Sequence, residues 1–352
     1  MSALSSMTTL PRHHSPLRSI AMGQLIRKDD RMSEISRRGV IAAAAVAPFA
    51  LPATASAQEA AVLPSGRQFP IASGRHKLVV TEVGATLRSW QVDGRELLLT
   101  HDADQLGDSF FGKVLLPWAN RIDRATYTFR GTEYQTPASE NWSGHAIHGL
   151  VSWVPWTPVR HDRDRVILAY TLHPQYGYPF TLQFQLEYAL RNQGVHVTLT
   201  ARNAGKQPAP LGTGYHPYFK VDVNAATLTV PAQTYLTTND MLIPIGRASV
   251  DGTPYDFRTP KQVGTTKLNT CYADLVTKDG VATAVVNQIQ VWVDDTHKFI
   301  QVYTDDGAPE RPARAGISIE PMTSAPNAFN SGDGLITLEP GQTYRGSWGL
   351  RT

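Results

Sequence analysis

From Gln58 onward the chain alternates apolar and polar residues with a period of two, and Gly, Asn, Asp or Pro breaks the pattern every few residues. The clearest stretches are HKLVVTEVGATLRSWQVDGRELLLT (76–100), RVILAYTLHP (165–174), TLQFQLEYALR (181–191), GVHVTLTARN (194–203), ATLTVPAQTYL (226–236), QIQVWVDD (288–295), FIQVYTDD (299–306) and RAGISIE (314–320). Alternation of this kind, rich in β-branched and aromatic side chains, predicts half-buried strands joined by tight turns. No comparable stretch has the 3.6 period and caps of a helix, and no fixed-length repeat suggests a propeller or solenoid. The expected fold is therefore all-β, a large antiparallel β-sandwich formed by residues 58–352 as one domain.

Residues 1–57 break with this pattern. SRRGVIAAAAVAPFALPATASA sets Arg37 and Arg38 before an apolar, Ala-rich run that ends in Ala55-Ser56-Ala57. The order of these features predicts a twin-arginine export signal, removed after Ala57, with the export machinery as its partner and a periplasmic or secreted mature protein. The run is too short for a membrane anchor. A second methionine, Met32, stands just before the arginine pair and is an alternative start.

Removing the leader changes the charge. The chain carries +3, but its first 57 residues hold seven Lys and Arg against three Asp and Glu, which leaves −1 on the remainder. A near-neutral body gives no electrostatic reason to expect nucleic acid or an anionic membrane as partner. The single cysteine, Cys271, cannot form an internal disulfide, so packing must hold the domain together. Oligomeric state is not encoded in any pattern here.

A β-sandwich says nothing about chemistry, which rests on the polar residues that interrupt the strands. LLPWANRIDRATYTF carries Asn120 and Arg121, NWSGHAIHGLVSW carries His145, His148 and Trp153, and GTGYHPYFKV carries His216 between two tyrosines. GISIEPMTSAPNAFN places Glu320 at the end of an alternating run. His145, His148 and His216 could make a three-histidine metal site, but their spacing in loops fixes no geometry, and neither a metal nor another cofactor is expected. His216 and Glu320 suit an acid and base on opposite sides of a small polar substrate, since histidine exchanges protons near neutral pH and burial moves a glutamate toward the same range. No nucleophile-elbow serine or cysteine–histidine pair competes with them. Aromatic rings with planar amides and a guanidinium fit a sugar, through its C–H faces and paired hydroxyls.

Five segments in order, NRI (120–122), His148-Gly149, GYHPYF (214–219), QVYT (301–304) and EPMTSAPNAFN (320–330), together with the opening EVGATLRSWQVDGREL, resemble the aldose 1-epimerases, or galactose mutarotases. The resemblance runs over nearly all of residues 66–350. It implies a β-supersandwich that interconverts the α and β anomers of free aldohexoses without a cofactor. It also implies His216 as general acid toward the ring oxygen and Glu320 as general base toward the C1 hydroxyl. Asn120, Arg121, His148 and Gln301 match positions that hold sugar hydroxyls. Where many members have aspartate in a D-x-x-F segment, LNTCYADL has Asn269, with Tyr272 three residues on. Asparagine brings no negative charge, which leaves substrate preference open. Two other readings also stay open: a hexose-6-phosphate 1-epimerase, which would call for more cationic residues than Arg121, and a sugar-binding β-sandwich without turnover.

Overall fold

Strands Leu182–Arg191 and Gly194–Asn203 show how the alternation becomes structure: they pair antiparallel in unbroken register from Leu182 opposite Asn203 to Arg191 opposite Gly194. Leu182, Phe184, Leu186 and Tyr188 turn inward and are buried, while Gln183 and Gln185 between them face solvent. The computed structural model describes residues 62–352, apart from 108, 192 and 308–311. The expected leader, its cleavage site and Met32 lie outside these residues.

Two antiparallel sheets hold most of the strand residues. One has nine strands in the order Thr157–His161, Arg165–Leu172, Leu182–Arg191, Gly194–Asn203, Thr343–Arg351, Ile289–Asp294, Val281–Val286, Thr227–Thr229 and Lys261–Gln262. The other has eight, in the order Pro244–Ser249, Ala232–Thr238, Asn269–Leu275, Phe299–Tyr303, Ile317–Met322, Gly214–Tyr215 and Val114–Leu115, with Tyr218–Phe219 also paired to Ile317–Met322. Inward side chains of both sheets, among them Leu168, Leu186, Leu199, Trp348, Ile300, Val302, Ile317 and Ile319, form one apolar cluster. Tyr215 of the eight-stranded sheet meets Trp348 of the nine-stranded sheet with ring centroids 4.9 Å apart. This is the sandwich read from the pattern, with helix reduced to short turns such as Ala328–Ser331.

One local expectation is corrected. Glu320 does not end its strand: Ile317–Met322 continues through Pro321 and is buried along its whole length. Proline is tolerated because the ladder is interrupted on one side at that point. There the strand pairs with Gly214 at Met322 and with Tyr218 at Ser318, but not in between. Both pairs share one register, which sets residue 216 opposite residue 320 across the gap. On the other side the ladder is continuous, and Gln301 is the register partner of Glu320.

Leu186 is fully buried between the sheets. Leu186→Ala is expected to cost about 2–5 kcal/mol through lost transfer energy and a residual cavity. Urea unfolding followed by tryptophan fluorescence measures it, and a midpoint equal to that of wild type would contradict the central position of this side chain.

Candidate active site

Opposed residues in a sheet project to the same face, so His216, Glu320 and Gln301 stand in a row on the eight-stranded sheet, on the side away from the main core. Residues of even number on this strand, Ser318, Glu320 and Met322, share that face, while Ile317 and Ile319 enter the core. A cavity of about 430 Å³ opens over the row. It is lined by His216, Glu320, Gln301, Asn269, Asn120, Arg121 and His148, which are all seven of the sequence-derived site residues, and also by Phe110, Glu140, Trp142, Tyr218 and Tyr303.

His216 Nε2 lies 3.5 Å from Glu320 Oε1, and both side chains are almost wholly buried. That corrects the expectation of an acid and base flanking the substrate, because no ring fits between groups this close. They sit side by side and would reach a substrate from one direction. Burial pushes the Glu320 carboxyl well above the ordinary glutamate range, and the Arg121 charge only partly offsets this. Glu320 Oε2 and Gln301 Oε1 are buried without a hydrogen-bond partner among the described residues, so two acceptors await a donor. Gln301 Nε2 donates to Asn269 Oδ1 at 2.7 Å. This joins the two amides into one uncharged element that leaves the Asn269 NH₂ as a donor.

Opposite this row, the segments after Ala119 and Ile147 lock together. The Asn120 N–H donates to His148 Nδ1 at 3.2 Å, and the His148 N–H donates to the Asn120 carbonyl at 2.9 Å. Asn120 and His148 both take left-handed backbone, at φ 57° and 59°, a conformation held here by its surroundings. Accepting at Nδ1 puts the His148 proton on Nε2. Burial, then the nearby His216 and Arg121, hold the ring neutral by lowering its pKa well below the usual value. His148 is therefore a fixed neutral donor. The glycine after it is obligatory, since at φ 77° a Cβ on Gly149 would lie 2.0 Å from the Leu116 carbonyl oxygen.

Arg121 forms a double hydrogen bond with Glu140, Nε to Oε2 at 2.9 Å and Nη2 to Oε1 at 2.6 Å. Burial opposes the Glu140 charge, but the Arg121 guanidinium prevails and holds the carboxylate below its usual range. Trp142 stands 5.9 Å from that guanidinium. The APNAFN segment supports the backbone here: the Asn327 N–H donates to the Arg121 carbonyl at 2.7 Å, and Asn327 Oδ1 accepts from the Asp123 N–H at 3.0 Å. His145 is turned elsewhere, with Nδ1 accepting from the Arg124 N–H at 2.8 Å, so the three histidines do not converge.

Sequence reasoning missed Glu140, Trp142, Phe110, Tyr218 and Tyr303. Glu140 precedes His145 by five residues in an acidic and aromatic turn, SENWSGH, which is the only signal that could have shown it. The others read as ordinary aromatic residues.

Comparison with known proteins identifies a family and a fold. Residues 68–351 match the family described as aldose 1-epimerase. YihR of Escherichia coli K12, an uncharacterized protein, is 33% identical over 293 residues, covering 80% of this chain and 92% of its own. Galactose mutarotase of Mus musculus is 28% identical over 225 residues, 58% of this chain and 65% of its own. Among solved structures, the GalM/aldose epimerase homologue from C. elegans superimposes with a TM-score of 0.73 at 20% identity, covering 81% of this chain and 98% of its own. Galactose 1-epimerase from Lactobacillus acidophilus NCFM gives 0.68 at 20% identity, covering 80% and 92%. At such identity these two structures speak to the fold alone.

A carboxyl whose pKa is raised on folding contributes its stability fully below the ordinary glutamate range, and loses it as pH climbs toward the folded value. Glu320→Gln has no proton to lose. The melting temperature of the variant should match wild type near pH 4 and exceed it increasingly toward pH 8, with 4 and 8 rough bounds around that window. Calorimetry across pH checks this, and a difference independent of pH would contradict the buried, protonated carboxyl.

Proposed function

This chain belongs to the aldose 1-epimerase family, isomerases acting on carbohydrates, and we propose that it interconverts the α and β anomers of a free aldohexose by acid–base ring opening. The observation that carries the reading is the buried His216–Glu320 pair at 3.5 Å. The two oxygens that exchange protons, the ring oxygen and the C1 hydroxyl, are bonded to the same carbon. A side-by-side acid and base can serve both from one direction.

In this reaction imidazolium His216 gives its Nε2 proton to the ring oxygen while carboxylate Glu320 takes the proton of the C1 hydroxyl. The C1–O5 bond breaks and C1 becomes an aldehyde. Rotation about C1–C2 presents the other face of the carbonyl, and the same two groups return their protons in reversed roles as the ring closes. Protons balance within the pair and no cofactor enters. The His148 Nε2–H and the Asn120 and Asn269 amides supply donors to hydroxyls, and the unpaired Gln301 oxygen supplies an acceptor.

The cavity favours a neutral sugar over a phosphorylated one. Among the described residues that line it, Arg121 is the only Arg or Lys, and its charge is already matched by Glu140. A phosphate dianion would find no free cation among those described residues. For the leader, we propose twin-arginine export, so that the enzyme acts outside the cytoplasm. Replacing Arg37 and Arg38 by lysine should leave the full chain in the cytoplasmic fraction, whereas unchanged export would point to another route.

Polarimetry of freshly dissolved α-D-glucose and α-D-galactose tests the activity. Wild type should accelerate mutarotation well above buffer. Glu320→Gln and His216→Gln should each lower kcat by about 100- to 10,000-fold, the usual worth of a positioned acid or base. The active form needs one proton shared between two groups, so kcat should fall at both low and high pH, with apparent values that belong to the pair. Sugar binding without acceleration for any common aldose would replace this reading with a binding module.

A further inference from the structure

Ser318 contributes nothing to the cavity wall, yet it stands two residues from Glu320 on the same strand face and touches the back of the acid. Its Oγ lies 3.1 Å from His216 Nδ1 and 3.0 Å from the Pro217 carbonyl oxygen, and the residue is fully buried. A hydroxyl has one hydrogen to give. The Pro217 carbonyl can only accept, so it takes that hydrogen, and toward His216 Oγ is left as an acceptor.

We propose that Ser318 is a positioning residue for His216: by accepting from Nδ1–H it fixes one ring proton on Nδ1 and confines proton exchange to Nε2, the nitrogen that faces Glu320. This rests on the acid role of His216 argued above. After imidazolium His216 gives its Nε2 proton to the ring oxygen, the neutral ring must keep its remaining proton on Nδ1. A serine that donated to Nδ1 would instead stabilise the other neutral tautomer, which has no second proton to transfer short of imidazolate. The acceptor oxygen thus favours both states that the reaction visits. Sheet geometry supplies the placement, because Ser318 is the register partner of Tyr218, two residues beyond His216. The Tyr218 ring stacks on the imidazole at 4.9 Å and 16°.

Among the described residues, titratable groups that face His216 or share its field include Glu320 at 3.5 Å, His148 with ring centroids 5.1 Å apart, Tyr218, and Arg121 and Cys271 through Glu320. Ser318 Oγ stands at Nδ1, whereas Glu320 faces Nε2, so a tautomer readout reports on the serine.

The test is nitrogen NMR of the full chain labelled with ¹⁵N-histidine, the His216 signals being those lost in His216→Gln, combined with the kinetics of Ser318→Ala. In wild type the neutral His216 ring should show a protonated Nδ1 and a bare Nε2, and Ser318→Ala should shift the population toward the Nε2–H tautomer. In the variant kcat should fall about 10- to 100-fold, as when the outer hydrogen-bond partner of a working histidine is removed, while KM stays near the wild-type value. The alkaline limb of the kcat profile should move to lower pH, since the imidazolium loses a partner, and Ser318→Thr should restore both limb and rate. A wild-type ring protonated on Nε2 overturns the inference, and so does a slower Ser318→Ala enzyme with an unchanged profile and tautomer. The spectra need no turnover, so they decide on Ser318 even if polarimetry rejects mutarotation.

Discussion

A carboxyl group in the middle of a strand, shielded from water and facing an imidazole across a gap in the sheet, is the constraint around which the active face is arranged. Backbone pairing stops opposite Glu320 while the register is kept across the break. The chain meets this with Pro321 on one strand and Pro217 on the other, two residues without an N–H, placed where pairing stops between Gly214 and Tyr218. The pocket lies over the face of the sheet, and the preserved register keeps His216 and Glu320 opposed.

The surroundings then settle the charges. A buried glutamate favours its protonated form, and a nearby cation would pull it toward the carboxylate. Arg121 is such a cation, but Glu140 engages both arms of its guanidinium, and the effect on Glu320 is partial. His148 is held neutral by burial and by the charges near it. The pocket that results is polar without a large net charge. That suits a molecule bearing many hydroxyls and no ionic group, and it keeps proton affinity concentrated on the two groups that move protons.

Much of this was legible in the chain. Period two with turn residues gave the sandwich, because one buried face imposes alternation on every strand whatever its partner. The motifs named seven of the residues that line the cavity, and Gly149 is tied to its motif by backbone that a Cβ would strike. Other features left no trace. Glu140 and Trp142 sit in a turn whose pattern is that of any surface turn, and their importance comes from Arg121 bending toward them. Asn327 supports Arg121 from more than two hundred residues away, a separation at which no local pattern operates. Ser318 looked like one more polar position in an alternating strand.

The sequence by itself determined which residues alternate, hence the fold class, and which chemical groups are available: two imidazoles, a carboxyl, three amides and a guanidinium. It could not determine distance, because whether an acid and a base flank a substrate or stand together depends on which strands become neighbours and in what register. That choice belongs to the closed sheet, where non-local pairing brings residues 216, 301 and 320 into one row. Nor could it determine protonation, since the raised pKa of Glu320 and the neutral ring of His148 come from the water that packing excludes.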